Sequence, residues 1–136
     1  MKPIERIVET VLYADDLEAA LRFYREILGL KLLSKDPIRH VFFQVEENQL
    51  LLIFRPDATI VGGHLPAHGA RGPGHIGFGI AAPELDLWRD RLGQHGVEIE
   101  HEELWEHGGR SLYFRDPHGN AVELLTPGVW GLPSGW

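Results

Sequence analysis

Apolar and polar positions run along this chain in two rounds that follow the same order. Residues 7–13 form a short apolar run broken by Glu9, which reads as a strand. Leu17, Ala20, Leu21, Tyr24, Ile27 and Leu28 then recur at the three-and-four spacing of one helical face. Asp15 reads as the N-cap of that helix, Glu18 completes a capping box, and Gly29 supplies the stop. Strands are expected next at 30–34, 40–45 and 49–54. The second round opens with a Gly-rich strand at 75–81 and a helix that Pro83 suits at its first turn, with Leu85, Trp88 and Leu92 as its buried stripe. Gly96 ends that helix, and strands follow at 97–101, 111–115 and 121–126. Each round reads β-α-β-β-β, at a period of roughly 66 residues when Glu9 is laid on His75. The expectation is an α+β fold of paired βαβββ modules, about 5–56 and 72–127, within a single domain of residues 1–136. Between them, 57–71 is rich in Gly, Pro and His and reads as a linker, and 128–136 reads as a C-terminal arm able to pack on a neighbour.

The charge balance narrows the partners. A net charge of −7 argues against nucleic acid, because a phosphate backbone needs clustered Lys and Arg. Cysteine is absent, which excludes disulfides, thiolate zinc sites and thiol nucleophiles. The first ten residues lack the apolar core of a signal peptide, and the longest strongly apolar stretch, 50–54, is far too short to span a bilayer. The expectation is a cytoplasmic protein with no membrane partner.

Candidate chemistry sits on the repeat. His75 lies in GPGHIGFGI and Glu123 in DPHGNAVELLTP, each on an apolar strand, where a polar group is costly to bury without a partner. A divalent cation would satisfy both, and Glu9, in the place of His75 one round earlier, is the third candidate ligand. The counterpart of Glu123 in the first round is Leu52, so three of four related positions carry metal-capable side chains. Other readings stay open at this point: an Arg partner for Glu123, a hydrogen-bonded core role for His75, and for Glu9 an edge position or a salt bridge to Arg6 or Arg39. Ser111, Tyr113 and Arg115 alternate with Leu112 and Phe114 and so share one face of their strand. Arg115 has Asp116 and Glu123 as alternative partners. His40 begins a strand and is a candidate to line a cavity. His64, His68, His107 and His118 read as solvated loop residues, and Phe42, Phe54 and Trp105 as core.

With DDLEAALRFYREILGLKLL, GPGHIGFGI and GGRSLYFRDPHGNAVELLTP in this order, the chain resembles the vicinal oxygen chelate superfamily over about residues 5–127. That group includes glyoxalase I, fosfomycin- and bleomycin-resistance proteins and extradiol dioxygenases. The resemblance implies βαβββ modules forming a cupped mixed sheet around one divalent metal per site, held by Glu9, His75 and Glu123, with Leu52 at the fourth position. It implies a homodimer in which Glu9 of one chain meets His75 and Glu123 of another. The face bearing Ser111, Tyr113 and Arg115 becomes a cavity wall for a small-molecule substrate, with His40 a further substrate-binding candidate and Tyr113 or Glu9 moving a proton. The family usually carries His where this chain has Glu9, which shifts the metal toward Mn²⁺, Fe²⁺ or Mg²⁺, with Zn²⁺ and Ni²⁺ also acceptable. Glyoxalase I needs a metal-bound carboxylate where Leu52 stands, so that reaction is not expected. The phosphonate-binding Lys of fosfomycin-resistance proteins is replaced by Glu103. The activity implied is Lewis-acid chemistry on an oxygen-bearing substrate, as lyase, isomerase or dioxygenase. The alternative is a metal-free protein of the bleomycin-resistance type that sequesters a small molecule.

Overall fold

The computed structural model describes residues Met1–Trp136, which divide into two compact units, Met1–Gly72 and Pro73–Trp136. The first holds β1 (Glu9–Tyr13), α1 (Leu17–Arg22), β2 (Lys31–Asp36), β3 (His40–Val45), β4 (Gln49–Phe54) and a short α2 (Pro56–Thr59). Its sheet runs β1-β4-β3-β2, with β1 parallel to β4 and the other pairs antiparallel. Side chains alternate across the strands. Leu12, Val41, Phe43, Leu51 and Ile53 point to one face and are buried along with Leu17, Ala20, Leu21 and Tyr24 of the helical segment. The opposite face carries Glu9, Val11, Tyr13, His40, Phe42, Leu52 and Phe54, which line a cavity.

The first helix departs from the expected spacing in two ways. Its N-cap is Asp16, one residue later than expected, with the side chain accepting from Ala19 N at 2.9 Å. That shift makes Leu17, which is buried, the first helical residue. After Arg22 the backbone widens into a π-helical turn, Phe23–Ile27, and Leu28 N donates to Phe23 O at 3.1 Å. Phe23 and Tyr24, adjacent in this wider turn, are both buried. Gly29, at φ +76, stops it in the left-handed region expected of a helix end.

The second unit repeats the plan: β5 (His75–Gly79), α3 (Leu85–Gln94), β6 (His101–Leu104), β7 (Arg110–Arg115) and β8 (Ala121–Leu125). Its sheet runs β5-β8-β7-β6, again with first and last strands parallel. Leu112, Phe114, Val122 and Leu124 fill its core with Leu85 and Leu92 of α3. The strand expected at 97–101 is displaced to β6. Val97 N instead donates to Leu92 O at 2.9 Å, as part of the wrap that ends α3. β6 is a polar edge strand, HEEL, and so carries little apolar alternation.

Two segments read as connectors are ordered against their own units. Residues 57–71 belong to the first unit: α2 opens with Pro56, Thr59 is buried, and His68 N donates to Thr59 O at 3.0 Å. The tail folds back within the second unit, where the Trp136 indole lies over the backbone of Gly79. No helix is long and apolar enough to cross a membrane.

Candidate metal centre

His75 and Glu123 meet on the face of the second sheet opposite its core. Strand register puts Gly77 directly beside Glu123 and Tyr113 on its other side. The carboxylate is buried, at 7% exposure, while His75 is open. His75 Nε2 lies 3.4 Å from Glu123 Oε2, and His75 Nδ1 lies 3.2 Å from Ala121 O. That carbonyl selects the tautomer with hydrogen on Nδ1, which leaves the Nε2 lone pair facing the carboxylate. Two electron-rich atoms in that position call for a positive charge between them, a proton or a cation. Glycine at 77 keeps the place clear, since a Cβ there would stand 3.6 Å from Glu123 Oε2 and 3.1 Å from Leu125 Cδ2.

The turn before β8 fixes this pair. Asp116 Oδ1 accepts from His118 N and Asn120 N, each at 2.9 Å, and Asn120 Nδ2 donates to Asp116 Oδ2 at 2.8 Å. Asn120 Oδ1 in turn accepts from Gly74 N at 2.7 Å, one residue before His75. The motif around Pro117 and Gly119 therefore aligns the two strands that carry His75 and Glu123. In sequence this motif reads as a turn signal only, and the positioning role of Asn120 appears with the structure. Asp and Asn flanking a Pro-His-Gly turn, both able to bond the backbone, were the available clue.

The alternative partners proposed from sequence are accounted for. The Glu123 carboxylate has no Arg beside it. Arg115 is bound to Glu100 through Nε at 2.7 Å and Nη2 at 3.2 Å, and Arg110 lies 3.7 Å from Glu102. Arg115 is thus on the expected strand but already paired with a carboxylate. Ser111 is buried, and its Oγ accepts from Trp105 Nε1 at 2.8 Å. Tyr113 is half-buried beside Glu123, with its ring 6.4 Å from that of His75. Burial, and then its hydrogen bond to the Glu123 carboxylate, push the Tyr113 hydroxyl up to about 12. Glu103 lies 2.9 Å from His101 Nε2.

Glu9 and His40 lie in the first unit. Glu9 heads β1 as His75 heads β5; it is exposed and forms no ion pair with Arg6 or Arg39. Val11, two residues on, is in register with Leu52, as Gly77 is with Glu123. Leu52 thus takes the place of Glu123 and is buried as part of the apolar wall. The cavity on this face has a volume of about 750 Å³. His40 lines it, with Nε2 3.1 Å from Ser34 Oγ and its ring stacked on Phe42 at 3.9 Å. Desolvation lowers the His40 pKa, against a smaller rise from Asp36, and Arg39 lowers it further. Tyr13, not singled out from sequence, and His68, read there as a solvated loop residue, also line this cavity and join side chains, Oη to Nδ1 at 2.7 Å.

Within neither unit do three His, Asp or Glu side chains converge at metal-binding distance. The second unit supplies two donors, an imidazole with an oriented second nitrogen and a buried carboxylate. Both fit a hard or borderline divalent ion.

Comparison with known proteins agrees with this plan. Residues 6–124 match the family model described as Glyoxalase/Bleomycin resistance protein/Dioxygenase superfamily. A catechol-2,3-dioxygenase of Bacillus subtilis (strain 168) is 32% identical over 114 residues, covering 81% of this chain but only 37% of the relative. The chain therefore spans well under half of that enzyme's length. A metallothiol transferase FosB of Lysinibacillus sphaericus (strain C3-41) is 29% identical over 124 residues, covering 90% of this chain and 83% of the relative. A crystal structure described as lactoylglutathione lyase from Agrobacterium tumefaciens superposes with a TM-score of 0.91 at 41% identity, covering 96% of this chain and all of that one.

Proposed function

The chain belongs to the Glyoxalase/Bleomycin resistance protein/Dioxygenase superfamily, and from that premise we propose a divalent-metal-dependent enzyme acting on a small oxygen-bearing substrate. The observation that carries the reading is the Glu123 carboxylate, buried beside Nε2 of His75 with no Arg or Lys to neutralise it. His75 and Glu123 of one chain, with Glu9 of a second, would complete a three-ligand set in a homodimer whose sites are shared. One imidazole and two carboxylates suit Mn²⁺, Fe²⁺ or Mg²⁺, with Zn²⁺ and Ni²⁺ acceptable. A bound ion would act as a Lewis acid on an oxygen of the substrate.

The chain's own groups then divide the remaining work. Tyr113, held protonated well above neutral pH, donates a hydrogen bond or a proton at the substrate oxygen. Glu9, exposed and unpaired, accepts one. Arg115 stays on Glu100 unless a substrate anion displaces that partner, and Ser111 serves through Trp105 to shape the wall. Lyase, isomerase and dioxygenase chemistry share these roles. Lactoylglutathione lyase activity is not expected, because the fourth ligand position is occupied by Leu52.

The test is the metal content of protein purified without oxygen, beside Glu9→Ala, His75→Ala and Glu123→Ala, with mass in solution measured in parallel. Near-stoichiometric metal in the parent, lost in all three variants, is the expected result, along with dimeric mass and no lactoylglutathione lyase turnover. Absence of uptake after reconstitution with each of the five metals would leave the sequestering reading. That second reading is favoured by the aromatic cavity of the first unit, which needs no metal to hold a ligand.

A further inference from the structure

We infer that the cavity of the first unit takes a planar aromatic carboxylate, its ring against Phe42 and Phe54 and its anionic group at Arg39. The inference rests on the second reading above in taking this cavity as the place of a small molecule, and it adds that molecule's chemical class.

The cavity wall is a connected set of rings. His40 stacks on Phe42 at 3.9 Å, and Phe42 meets Phe54 edge-on at 5.0 Å. Phe54 meets His68 edge-on at 5.0 Å, and the Tyr13–His68 hydrogen bond closes the far side. Flat aromatic surfaces held by one another lose little side-chain freedom when a ring settles on them. Leu52 and Val11 continue the apolar floor.

Charge is placed at one end only. The Arg39 guanidinium stands 5.6 Å over the Phe54 ring, and its Nη1 donates to Ala58 O at 3.3 Å. It has no carboxylate partner, so donors and a full positive charge remain for a ligand. The neighbouring His40 adds a buried Nδ1 with no hydrogen-bond partner. The only carboxylate on this wall, Glu9, is at the opposite end: register pairs Tyr13 and His40 with Phe54, whereas Glu9 pairs with Leu50 four residues earlier on β1. At a strand rise of about 3.3 Å per residue that separation is about 13 Å. A ligand anchored by its anion at Arg39 therefore extends its ring toward Glu9 without meeting that carboxylate head-on.

The test is equilibrium binding of three matched probes, 2-naphthoate, 2-naphthamide and decalin-2-carboxylate, to full-length protein stripped of metal by chelation. Naphthoate is expected to bind about fivefold more tightly than the amide, since a charge-assisted hydrogen bond at an exposed site is worth about that, and more tightly than the saturated acid, because stacking on Phe42 and Phe54 needs a flat ring. Arg39→Gln should erase the acid-over-amide preference and its salt dependence, while Arg71→Gln leaves both. Phe42→Leu should erase the preference for the flat ring. Equal binding of acid and amide, or of naphthoate and its saturated analogue, by the unmodified protein would overturn the inference, as would no binding at all. Metal content measured on the same preparations before chelation separates the two readings. Full metal uptake with no naphthoate preference sinks this inference alone; naphthoate preference without metal uptake sustains it and sinks the metal-dependent enzyme.

Discussion

Asn120 reaches from the start of β8 to the backbone of Gly74, accepting its N–H at 2.7 Å, and so couples the strand of Glu123 to the strand of His75. Asn120 is 1% exposed, so Asn120→Ala leaves the Gly74 donor and the Asp116 carboxylate without this partner in a dry place. The expected loss is about 2–3 kcal/mol, a large share of the stability of an ordinary domain. Denaturant unfolding measures it. A loss below about 0.5 kcal/mol would show that the turn holds without the amide.

Gly79 is expected to be intolerant for a reason visible only in three dimensions. A Cβ at this position would fall among the ring carbons of Trp136, with Cζ2 and Cζ3 at 2.8 Å. Gly79→Ala should displace the indole, red-shift its fluorescence and cost about 1–3 kcal/mol. In the Trp136→Ala background the same change should cost much less, because the two residues share one contact. Additive costs would mean the arm lies elsewhere in solution.

Tyr113 gives a pH signature in the alkaline range. Its hydroxyl is raised in the folded state to about 12 from an ordinary 10.0, so the folded form holds a proton that the unfolded form releases. Its contribution to stability is therefore full below pH 10 and is lost as pH rises toward 12. Absorbance titration of tyrosinate should show a late-titrating phase that Tyr113→Phe removes, and the variant's stability should fall less steeply over the same window. An unchanged titration curve would disprove the assignment.

At acid pH the sign reverses. Hydrogen bonding to Arg115 holds the Glu100 carboxyl below its ordinary 4.5, and hydrogen bonding to Arg89 does the same for Glu102. Their contributions are present above pH 4.5 and lost as pH falls through the lowered values. Both pairs are solvent-exposed, so the effect should be small and diminish with added salt. Acid titration of Glu100→Gln, with unfolding followed at two ionic strengths, checks the direction.

Much of this architecture could be read from residue pattern because the two rounds share a period. The strands 40–45 and 49–54 begin and end where alternation places them, since each buries one face on a helix. β6 was misplaced because an edge strand of His and Glu lacks an apolar face, whereas Val97 and Ile99 just before it have the right character without the pairing. The helix cap slipped by one where two aspartates stand side by side. The closeness of His75 and Glu123 followed from the repeat. The exclusion of Arg from that pair did not, because Arg115 finds Glu100 through cross-strand geometry that composition does not encode. His68 read as a solvated loop residue, since nothing local marks a histidine that will bond a tyrosine 55 positions away.

Leu52→Glu tests the equivalence of the two sheets directly. It places a carboxylate at the register position of Glu123, between the apolar neighbours Val11 and Phe42. The expected cost without metal is about 1–3 kcal/mol. Under the proposed function, Mn²⁺ should recover that cost, with a larger thermal shift than the parent shows. A cost unaffected by metal would mean that Leu52 does not face the ion.

Register-matched sheets with unlike side chains also bear on how such a protein changes over time. The hydrogen bonds that align His75 with Glu123 all lie in β5, β8 and the turn before β8. The rings and the arginine proposed to meet a ligand lie in β3, β4 and the residues beside them. No residue that makes the hydrogen bonds of the donor pair belongs to the set of rings beside Arg39. A lineage built this way can exchange one substrate for another while its donor pair stays fixed, so divergence among its members should concentrate in the first half of the chain.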